Sequence, residues 1–451
     1  YDEPFELFSS HVYAKGSLIL TMLRDVLGEE GFWRSIRKYT NENKLKNVET
    51  SDLKKTIEMT TGQNLDWFFK QWLYEPGFPN YDVSWNYNQR KKELSIHVKQ
   101  TQDLKTTSLF KMPIKIIVDN GEKKEHVIWV DNLDSVYKIK SDKRPKMVIF
   151  NSGQRVPSNL KMQKSVADLK YQLQNASNAL DRIWAAHELS KKKGRKVVEY
   201  ALMEAAKNDP FWAVRSEAYS ALGRLKTNIV SEDIEWVKRK EIDNRVKRSF
   251  IRILKNQKNN LEVSKFLEDI IISDTSYYAI SESIRTLAIV DTAKAKPHVD
   301  KLLNTESHND VIRKSTLSYF SQVKTTSNYM RLKELAKYGN FSWPSRPTII
   351  YELSKYQKKR PSTFDFILSF FDDNDRFVRM AVIAQVGNYG SESNYSLLDI
   401  MVEKDPVLSI NASRAKSKIE NRKNSTSKRS DSKTVEFLDK KLKAIKNILN
   451  D

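Results

Sequence analysis

Few side chains in this sequence have the type and spacing needed to bind a metal or act as nucleophiles. The chain has six histidines and no cysteine, so thiolate metal sites and disulfide bonds are excluded. A helical hydrolytic zinc site needs His-Glu-x-x-His, which places two imidazoles one turn apart beside a glutamate. His187-Glu188 begins this pattern, but Lys191 stands where the second histidine would be. No two histidines are four residues apart; they are His11, His97, His126, His187, His298 and His308.

Other catalytic signatures are also missing from the sequence. It has neither a Gly-rich phosphate loop nor a Gly-x-Ser-x-Gly elbow. Composition and spacing alone therefore indicate no active site. Tyr13, in Tyr13-Ala14-Lys15-Gly16, is on its own an ordinary packing residue of an amphipathic helix. Its neighbours in this motif are expected to be structural: Gly16 is expected to permit close helix packing, and Lys15 to cap or pair.

The elements that hold Tyr13 are predicted to be helices over residues 5–75. Apolar residues recur at helical spacing, and Gly28 ends the first helix. Thr50-Ser51-Asp52 caps a later helix that Gly62 closes. Pro76-Gly77 ends the last one.

Between residues 79 and 155 the apolar period changes from helical to alternating. Tyr81 and Val83 begin one such strand, and Asp119-Asn120-Gly121 is a hairpin signal. Six or seven short strands fit this segment. The pattern predicts a small antiparallel β-sandwich.

Residues 165–420 are predicted to be helical and repetitive. Clear copies of the repeat are 209–215 and 373–379, which begin with aspartate and end in Val-Arg. Aspartate begins a helix, and each helical hairpin buries its apolar face only by stacking on the next. The pattern resembles HEAT-type repeats and predicts an α-solenoid of about eight hairpins, in which the repeated aspartate and arginine are structural. The marker position recurs every 32 or 33 residues, at 182, 215, 247, 280, 313, 346, 379 and 411.

The end of the chain has two further predicted segments. Residues 421–433 are polar and low in complexity, which is typical of a linker. Residues 434–451 carry apolar residues at helical spacing, among them Leu438, Leu442 and Ile445. We interpret this segment as an amphipathic helix that either caps the solenoid or docks on a partner.

The formal net charge of +21 bears on the kind of partner. An excess of lysine can bind nucleic acid, an acidic membrane surface or an acidic protein. The lysines are scattered along the predicted helices, and no basic motif interleaved with aromatic residues occurs. The sequence favours a lysine-rich solvated surface and leaves nucleic acid as the less favoured alternative.

Targeting signals give little guidance. The longest apolar run, Leu18 to Leu23, stops at Arg24, so no transmembrane segment is predicted. The sequence begins Tyr1-Asp2-Glu3-Pro4, which we interpret as an internal cut in a longer protein. The compartment stays unknown, because a chain without cysteine suits reducing and oxidising environments alike.

Tyr13-Ala14-Lys15-Gly16 opens an ordered set of motifs that continues without gaps. The set comprises Leu20, Met22-Leu23-Arg24, Leu27-Gly28, Phe32, Tyr39, Thr50-Ser51-Asp52-Leu53, Gly62, Leu65, Phe68-Phe69, Gln71-Trp72-Leu73 and Pro76-Gly77-Phe78-Pro79. In this order the motifs resemble the aminopeptidase N family of zinc metallopeptidases, over about residues 1–155. The resemblance implies the C-terminal helical part of a thermolysin-like catalytic domain over residues 1–78, followed by the β-sandwich. The predicted fold class is mainly α with a small β-sandwich.

The resemblance also implies a role for Tyr13. In that family the tyrosine of Tyr-x-Lys-Gly points its hydroxyl at the scissile carbonyl. Such a phenol stabilises the charge that develops on oxygen, and losing one such donor costs on the order of 100-fold to 1000-fold in rate. The family's zinc ligands, its glutamate base and its Gly-x-Met-Glu-Asn segment lie upstream of this tyrosine and do not occur in this sequence. Zinc is therefore expected in the full-length protein only, and this chain alone is expected to be inactive.

Two functions follow as hypotheses. The first is the C-terminal fragment of a zinc-dependent aminopeptidase that removes N-terminal residues from peptides, with Tyr13 stabilising the oxyanion. The second is a catalytically dead scaffold or binding protein that uses the basic solenoid. Retention of Tyr13 favours the enzyme, whereas the charge and the long repeat surface suit the scaffold. The expected partners are peptide substrates, with a protein partner on the solenoid as a further expectation.

Overall fold

The computed structural model describes residues 11–424 of the 451-residue chain. These residues are mainly helical and contain a small β-sandwich, as predicted. They fall into two compact units, one formed by residues 11–228 and 239–253 and the other by residues 229–238 and 254–424. The predicted terminal helix 434–451 lies outside the described residues. Within them, no helix combines the length and apolarity needed to cross a membrane.

Helices make up both ends of the described chain and flank the strands. In chain order they are α1 (Gly16–Glu42), α2 (Thr50–Thr61), α3 (Asp66–Phe69), α4 (Val166–Asn175), α5 (Ala179–Leu189), α6 (Lys196–Asn208), α7 (Trp212–Leu225), α8 (Ser231–Lys240), α9 (Asn244–Ile253), α10 (Leu261–Ser273), α11 (Tyr277–Val290), α12 (Thr292–Ala295), α13 (Val299–Leu303), α14 (Val311–Thr316), α15 (Ser318–Gln322), α16 (Thr326–Ala336), α17 (Arg346–Ser354), α18 (Ser362–Leu368), α19 (Arg376–Tyr389) and α20 (Tyr395–Lys404). Wider π-helical turns cover His11–Lys15 and Lys70–Tyr74.

The helices at the front of the first unit begin and end close to their predicted limits. Gly28 breaks α1 with φ 73° and ψ 166°, a conformation that a residue with a Cβ rarely adopts. Gly62 has φ 71° and ends α2, where its N–H donates to the carbonyl of Glu58. Gly62 therefore ends α2 as predicted, whereas Gly28 interrupts α1, which resumes and runs to Glu42.

Seven strands form the β-sandwich. A four-stranded sheet has the order β5-β2-β1-β7, and a three-stranded sheet has the order β4-β3-β6. All pairs are antiparallel except β1 with β7, so the prediction of a purely antiparallel sandwich is wrong at this edge. Gly121 forms the predicted hairpin between β3 and β4, where its N–H donates to Asp119 Oδ1. The strands are β1 (Asn80–Asn88), β2 (Glu93–Gln100), β3 (Met112–Asp119), β4 (Lys123–Val130), β5 (Asp134–Lys140), β6 (Met147–Phe150) and β7 (Asn159–Met162).

One apolar core joins the front helices to the sandwich. It runs from Met22 and Leu23 in α1 to the strand residues of both sheets. Trp72 lies at the junction, where its indole N–H points at the sulfur of Met112, 3.4 Å away, and its ring packs on Phe110. Because the helices and the strands share this core, the sandwich fixes the position of α1.

The helical region contains links between successive repeats in each unit. In the first unit, Arg182 pairs with Asp209 and Arg215 pairs with Glu241. In the second, Arg379 pairs with Asp405. The predicted structural role of the repeated arginine is therefore visible as an ion pair to the start of the next repeat.

The prediction of a linker over residues 421–433 is wrong for residues 421–424, and residues 425–433 lie outside the described residues. Residues 409–424 are helical, so the first four residues of the predicted linker continue a helix. Arg422 accounts for this, because its guanidinium donates to the carbonyls of Gly387, Asn388 and Gly390 at the end of α19. A cation on the last carbonyls of a helix is favourable, and this contact holds the polar segment against the fold.

Candidate functional site

Tyr13, the candidate catalytic residue, lies on the π-helical turn that leads directly into α1. Its side chain is 64% exposed. A phenol that is buried in apolar packing could not reach a substrate, and Tyr13 is not in that position. Tyr13 therefore lies at the surface of the part of the chain that the structure describes.

The turn that carries Tyr13 is held by α1, which is anchored on two sides. Met22 and Leu23 are buried with Ile57 of α2 in the common core. Asp25 accepts a hydrogen bond from Arg155 Nε at 2.5 Å, which ties α1 to the segment between β6 and β7. Donation to Asp25 also raises the pKa of Arg155. These contacts fix the start of α1, and with it the turn before it.

Lys15 and Gly16, the neighbours in the same motif, depart from two of the roles that the sequence predicts for them. Close helix packing at Gly16 is wrong for the described residues, among which a Cβ built at this position meets no atom within 4 Å. A capping role for Lys15 is also wrong, since its side chain makes no capping bond at the start of α1. Pairing of Lys15 stays a prediction.

The zinc that the resemblance implies needs several ligands that converge on one point. The histidines are instead spread over the chain. In the first unit, His97 Nε2 lies 2.5 Å from Asp134 Oδ1; in the second, His298 Nε2 lies 3.5 Å from Glu268 Oε1. Among residues 11–424, no group of three or more histidine, aspartate or glutamate side chains converges on a point where a metal could bind. These residues therefore do not fit a catalytic zinc.

Sequence reasoning missed a second feature, a cavity of about 500 Å³ in the first unit. Leu18, one turn after Tyr13, is among its lining residues, and so are the buried Lys164 and Asp181. The sequence pattern did not predict this cavity, because lysine and aspartate are usually exposed and their burial here depends on three separate elements.

Chemically, Tyr13 offers one neutral donor on a fixed turn. It can stabilise negative charge on an oxygen atom, but the described residues place neither a metal nor a recognised nucleophile beside it. The phenol alone therefore makes no complete catalytic site among residues 11–424.

Comparison with a family model matches the segment that carries Tyr13. Residues 1–72 match the model described as the Peptidase family M1 domain. This match covers the helical front of the chain and ends before the sandwich begins.

Curated relatives also match parts of the chain. Tricorn protease-interacting factor F2 of Thermoplasma acidophilum is 37% identical over 78 residues, which are 17% of this chain and 10% of that protein. Probable aminopeptidase 2 of Sulfurisphaera tokodaii is 30% identical over 144 residues, 32% of this chain and 18% of that protein. The chain therefore spans only a small part of the length of the curated relatives it matches.

A solved structure extends the similarity of fold. Aminopeptidase A of Legionella pneumophila, in complex with aspartic acid, superimposes with a TM-score of 0.68 at 16% identity. The match covers 93% of this chain and 58% of that protein. The order of helical front, sandwich and helical region is thus shared with a known aminopeptidase fold.

Proposed function

We propose that this chain, as a member of peptidase family M1, is the C-terminal part of a zinc-dependent aminopeptidase. The whole enzyme would hydrolyse N-terminal residues from peptides. Several relatives that match part of this chain are named aminopeptidases, which supports a peptidase function in general. The substrates, the metal and the role of each residue are part of the proposal.

The observation that carries the proposal is the exposed phenol of Tyr13 within the matched segment 1–72. Water attack on a peptide carbonyl places negative charge on the carbonyl oxygen. A hydroxyl held on a rigid turn can donate to that oxygen without further reorganisation, and so stabilises the transition state more than the ground state. We assign this function to Tyr13.

Zinc is the proposed cofactor of the whole enzyme. Since residues 11–424 do not fit the metal, its ligands and the general base are assigned to polypeptide outside the described residues. The role left to this chain is to present Tyr13, shape the neighbouring surface and exclude water.

Tyr13→Phe in the enzyme expressed from its complete gene tests the role of the phenol. We expect kcat for an aminoacyl-p-nitroanilide to fall on the order of 100-fold to 1000-fold, with little change in KM, because the lost bond forms only in the transition state. Tyr74→Phe is the matched control, since Tyr74 is also an exposed tyrosine on a π-helical turn and should retain activity. Equal activity of the two variants would refute the assignment.

The 451-residue chain on its own gives a second test. We expect no cleavage of an aminoacyl-p-nitroanilide, with or without added zinc, because the phenol alone supplies neither the nucleophile nor a metal. Measurable turnover by the purified chain would show that the missing components lie within it.

The remaining architecture belongs to the same proposal. We propose the domain limits 1–78, 79–155 and 165–420, with the last region a HEAT-like α-solenoid that restricts access to the cleft and offers a surface to a protein partner. The similarity to a protein named as an interacting factor supports a partner. The alternative, a catalytically dead scaffold, predicts that Tyr13→Phe leaves every function of the protein unchanged.

A further inference from the structure

The cavity of about 500 Å³ lies where three parts of the first unit meet. Leu18 of α1 lies on one side, Phe150 and Met162 of the sandwich on another, and Trp184 of α5 on a third. Most of its lining is apolar, and its size is in the range of small-molecule binding sites. An apolar group of several carbon atoms fits such a space.

Lys164 is the charged group that distinguishes this cavity. It is only 8% exposed. Its Nζ donates to the carbonyl of Val148 at 2.6 Å and to Gln172 Oε1 at 2.5 Å, and lies 5.4 Å from the ring of Trp184. Both acceptors are neutral. An ammonium group has three donors, so one N–H remains after these two bonds.

The nearest carboxylates are engaged elsewhere. Asp181 is 3% exposed and also lines the cavity, but its oxygens accept from Ser152 Oγ at 2.6 Å and the N–H of Gly153 at 2.9 Å. Asp168 accepts from the backbone N–H of Ser165 at the start of α4. Both carboxylates favour the charged form of Lys164 through their fields, yet neither lies within ion-pair distance of it in the described chain.

Burial therefore dominates the ionisation of this amine. It lowers the pKa of Lys164 to about 8, against the opposing effects of Asp168 and Asp181. Burial also raises the pKa of Asp181, and that carboxylate does not contact the amine. A buried cation without a contacting anion is costly, and a ligand that brings one anionic group removes that cost.

We propose that this cavity binds an apolar monocarboxylate, with the carboxylate on Lys164 Nζ and the hydrocarbon part against Trp184 and the sandwich residues. One remaining N–H and one positive charge match a single carboxylate better than a phosphate, which needs several donors. The ligand class includes a free aliphatic acid and the C-terminal residue of a peptide. This site does not depend on the proposed peptidase activity.

Calorimetric titration of the 451-residue chain with octanoate tests the proposal. At pH 7 we expect saturable binding at one site, and at least 10-fold weaker binding of octylamine, which has the same chain and the opposite charge. A free tripeptide Leu-Leu-Phe and its C-terminal amide form the second arm. Binding of the acid but not of the amide assigns the site to peptide C-termini, and binding of octanoate alone assigns it to free acids.

Lys164→Met removes the amine and keeps most of the side-chain volume. It should weaken octanoate binding at least 10-fold, whereas Lys161→Met, on the same segment but exposed, should change it less than 2-fold. Octanoate affinity that is unchanged by Lys164→Met, or equal affinity for octanoate and octylamine, would overturn the proposal.

Proton uptake by the unaltered protein provides a test that needs no variant. A carboxylate on Lys164 raises the pKa of that amine, so binding at pH 9 should take up close to one proton, and binding at pH 7 almost none. Titrations in buffers of different ionisation enthalpy measure this number. Binding at pH 9 without proton uptake would show that the carboxylate does not meet Lys164.

Discussion

Arg346 and Asp373 form a buried bidentate ion pair across 27 residues of sequence. Arg346 Nη1 donates to Asp373 Oδ1 at 2.9 Å, and Nη2 donates to Oδ2 at 2.6 Å. The same arginine donates to the carbonyl of Ala336 at the end of α16, while Asp373 accepts from the N–H of Asp375 before α19. Arg346 and Asp373 thus connect the end of α16, the start of α17 and the backbone just before α19.

The relationship recurs within each unit. Arg182 and Arg215 reach acidic residues 27 and 26 positions later in the first unit, as Arg379 reaches an acidic residue 26 positions later in the second. Each of the three also donates to a backbone carbonyl six positions before itself. Arginine suits this position because its planar fork serves a carboxylate and a carbonyl at once.

Asp373→Asn should destabilise the protein far more than Asp372→Asn. Asp373 and Arg346 side chains are 7% and 3% exposed, so removing one charge leaves the other buried without a counter-ion. We expect a loss of about 3 kcal/mol, on the order of 6–12 °C in Tm. Asp372 pairs with Lys404 in an exposed contact and should cost less than about 1 kcal/mol. Thermal unfolding of the two variants measures the difference.

Acid should reduce the difference in free energy of unfolding between the unaltered protein and Asp373→Asn. Burial alone would raise the pKa of Asp373, but hydrogen bonds from Arg346 and from the N–H of Asp375 outweigh it and hold the pKa below its usual 3.8. The carboxylate therefore contributes its full stability above that value and loses it as the pH falls through the lowered pKa. A difference in free energy of unfolding that stays constant down to pH 2 would contradict the ion pair.

Much of this architecture could be predicted from the residues themselves. Gly28 interrupts α1 and Gly62 ends α2 because glycine adopts positive φ angles at little cost, and that property is local. The recurrence of arginine at the marker position likewise appears in the sequence. Its partner does not, because a contact 26 or 27 residues away depends on how the hairpins stack. Arg313 shows the limit, since it pairs with Asp310 in its own repeat.

The candidate site was only partly predictable. The catalytic role of Tyr13 was predicted only from the resemblance of its motif to a family, because no physical pattern in the surrounding residues required that role. The cavity at Lys164 gave no signal, because a lysine becomes buried only when the sandwich and two helices enclose it. Met59 fits the apolar face of α2 by spacing and is 66% exposed, since residue type does not determine burial.

Gly77→Ala and Gly16→Ala should have opposite effects, although both glycines belong to the motifs of the family resemblance. Gly77 has φ 93°, and a Cβ there would lie 2.6 Å from Thr107 Cγ2. We expect a loss of about 2 kcal/mol or more from backbone strain and steric conflict. At Gly16 a Cβ meets no atom of the described residues within 4 Å, so alanine should stabilise the helix by roughly 0.5–1 kcal/mol. Tm measurements on both variants decide; a large loss at Gly16 would restore a packing role for it.

The free energy of unfolding of the unaltered protein should increase with pH in the alkaline range, and Lys164→Met should abolish this increase. The pKa of Lys164 is lowered from 10.5 in the unfolded chain to about 8 in the folded state. Between these values the unfolded chain binds more protons, so the free energy of unfolding rises with pH across this window. The shift corresponds to about 3 kcal/mol. Methionine has no proton to release, and the variant should therefore be the more stable protein at pH 7 and lose that advantage by pH 10.

Unfolding midpoints at pH 7, 8.5 and 10 measure this effect as the difference between the two proteins, which cancels the titration of other groups. Lys161→Met is the control, because Lys161 is an exposed residue of β7 whose ion pair with Asp82 is open to solvent. Its difference from the unaltered protein should stay nearly constant with pH. If Lys164→Met and Lys161→Met show the same pH dependence, Lys164 is solvated in solution, and the buried cation that makes its cavity selective for anions is absent.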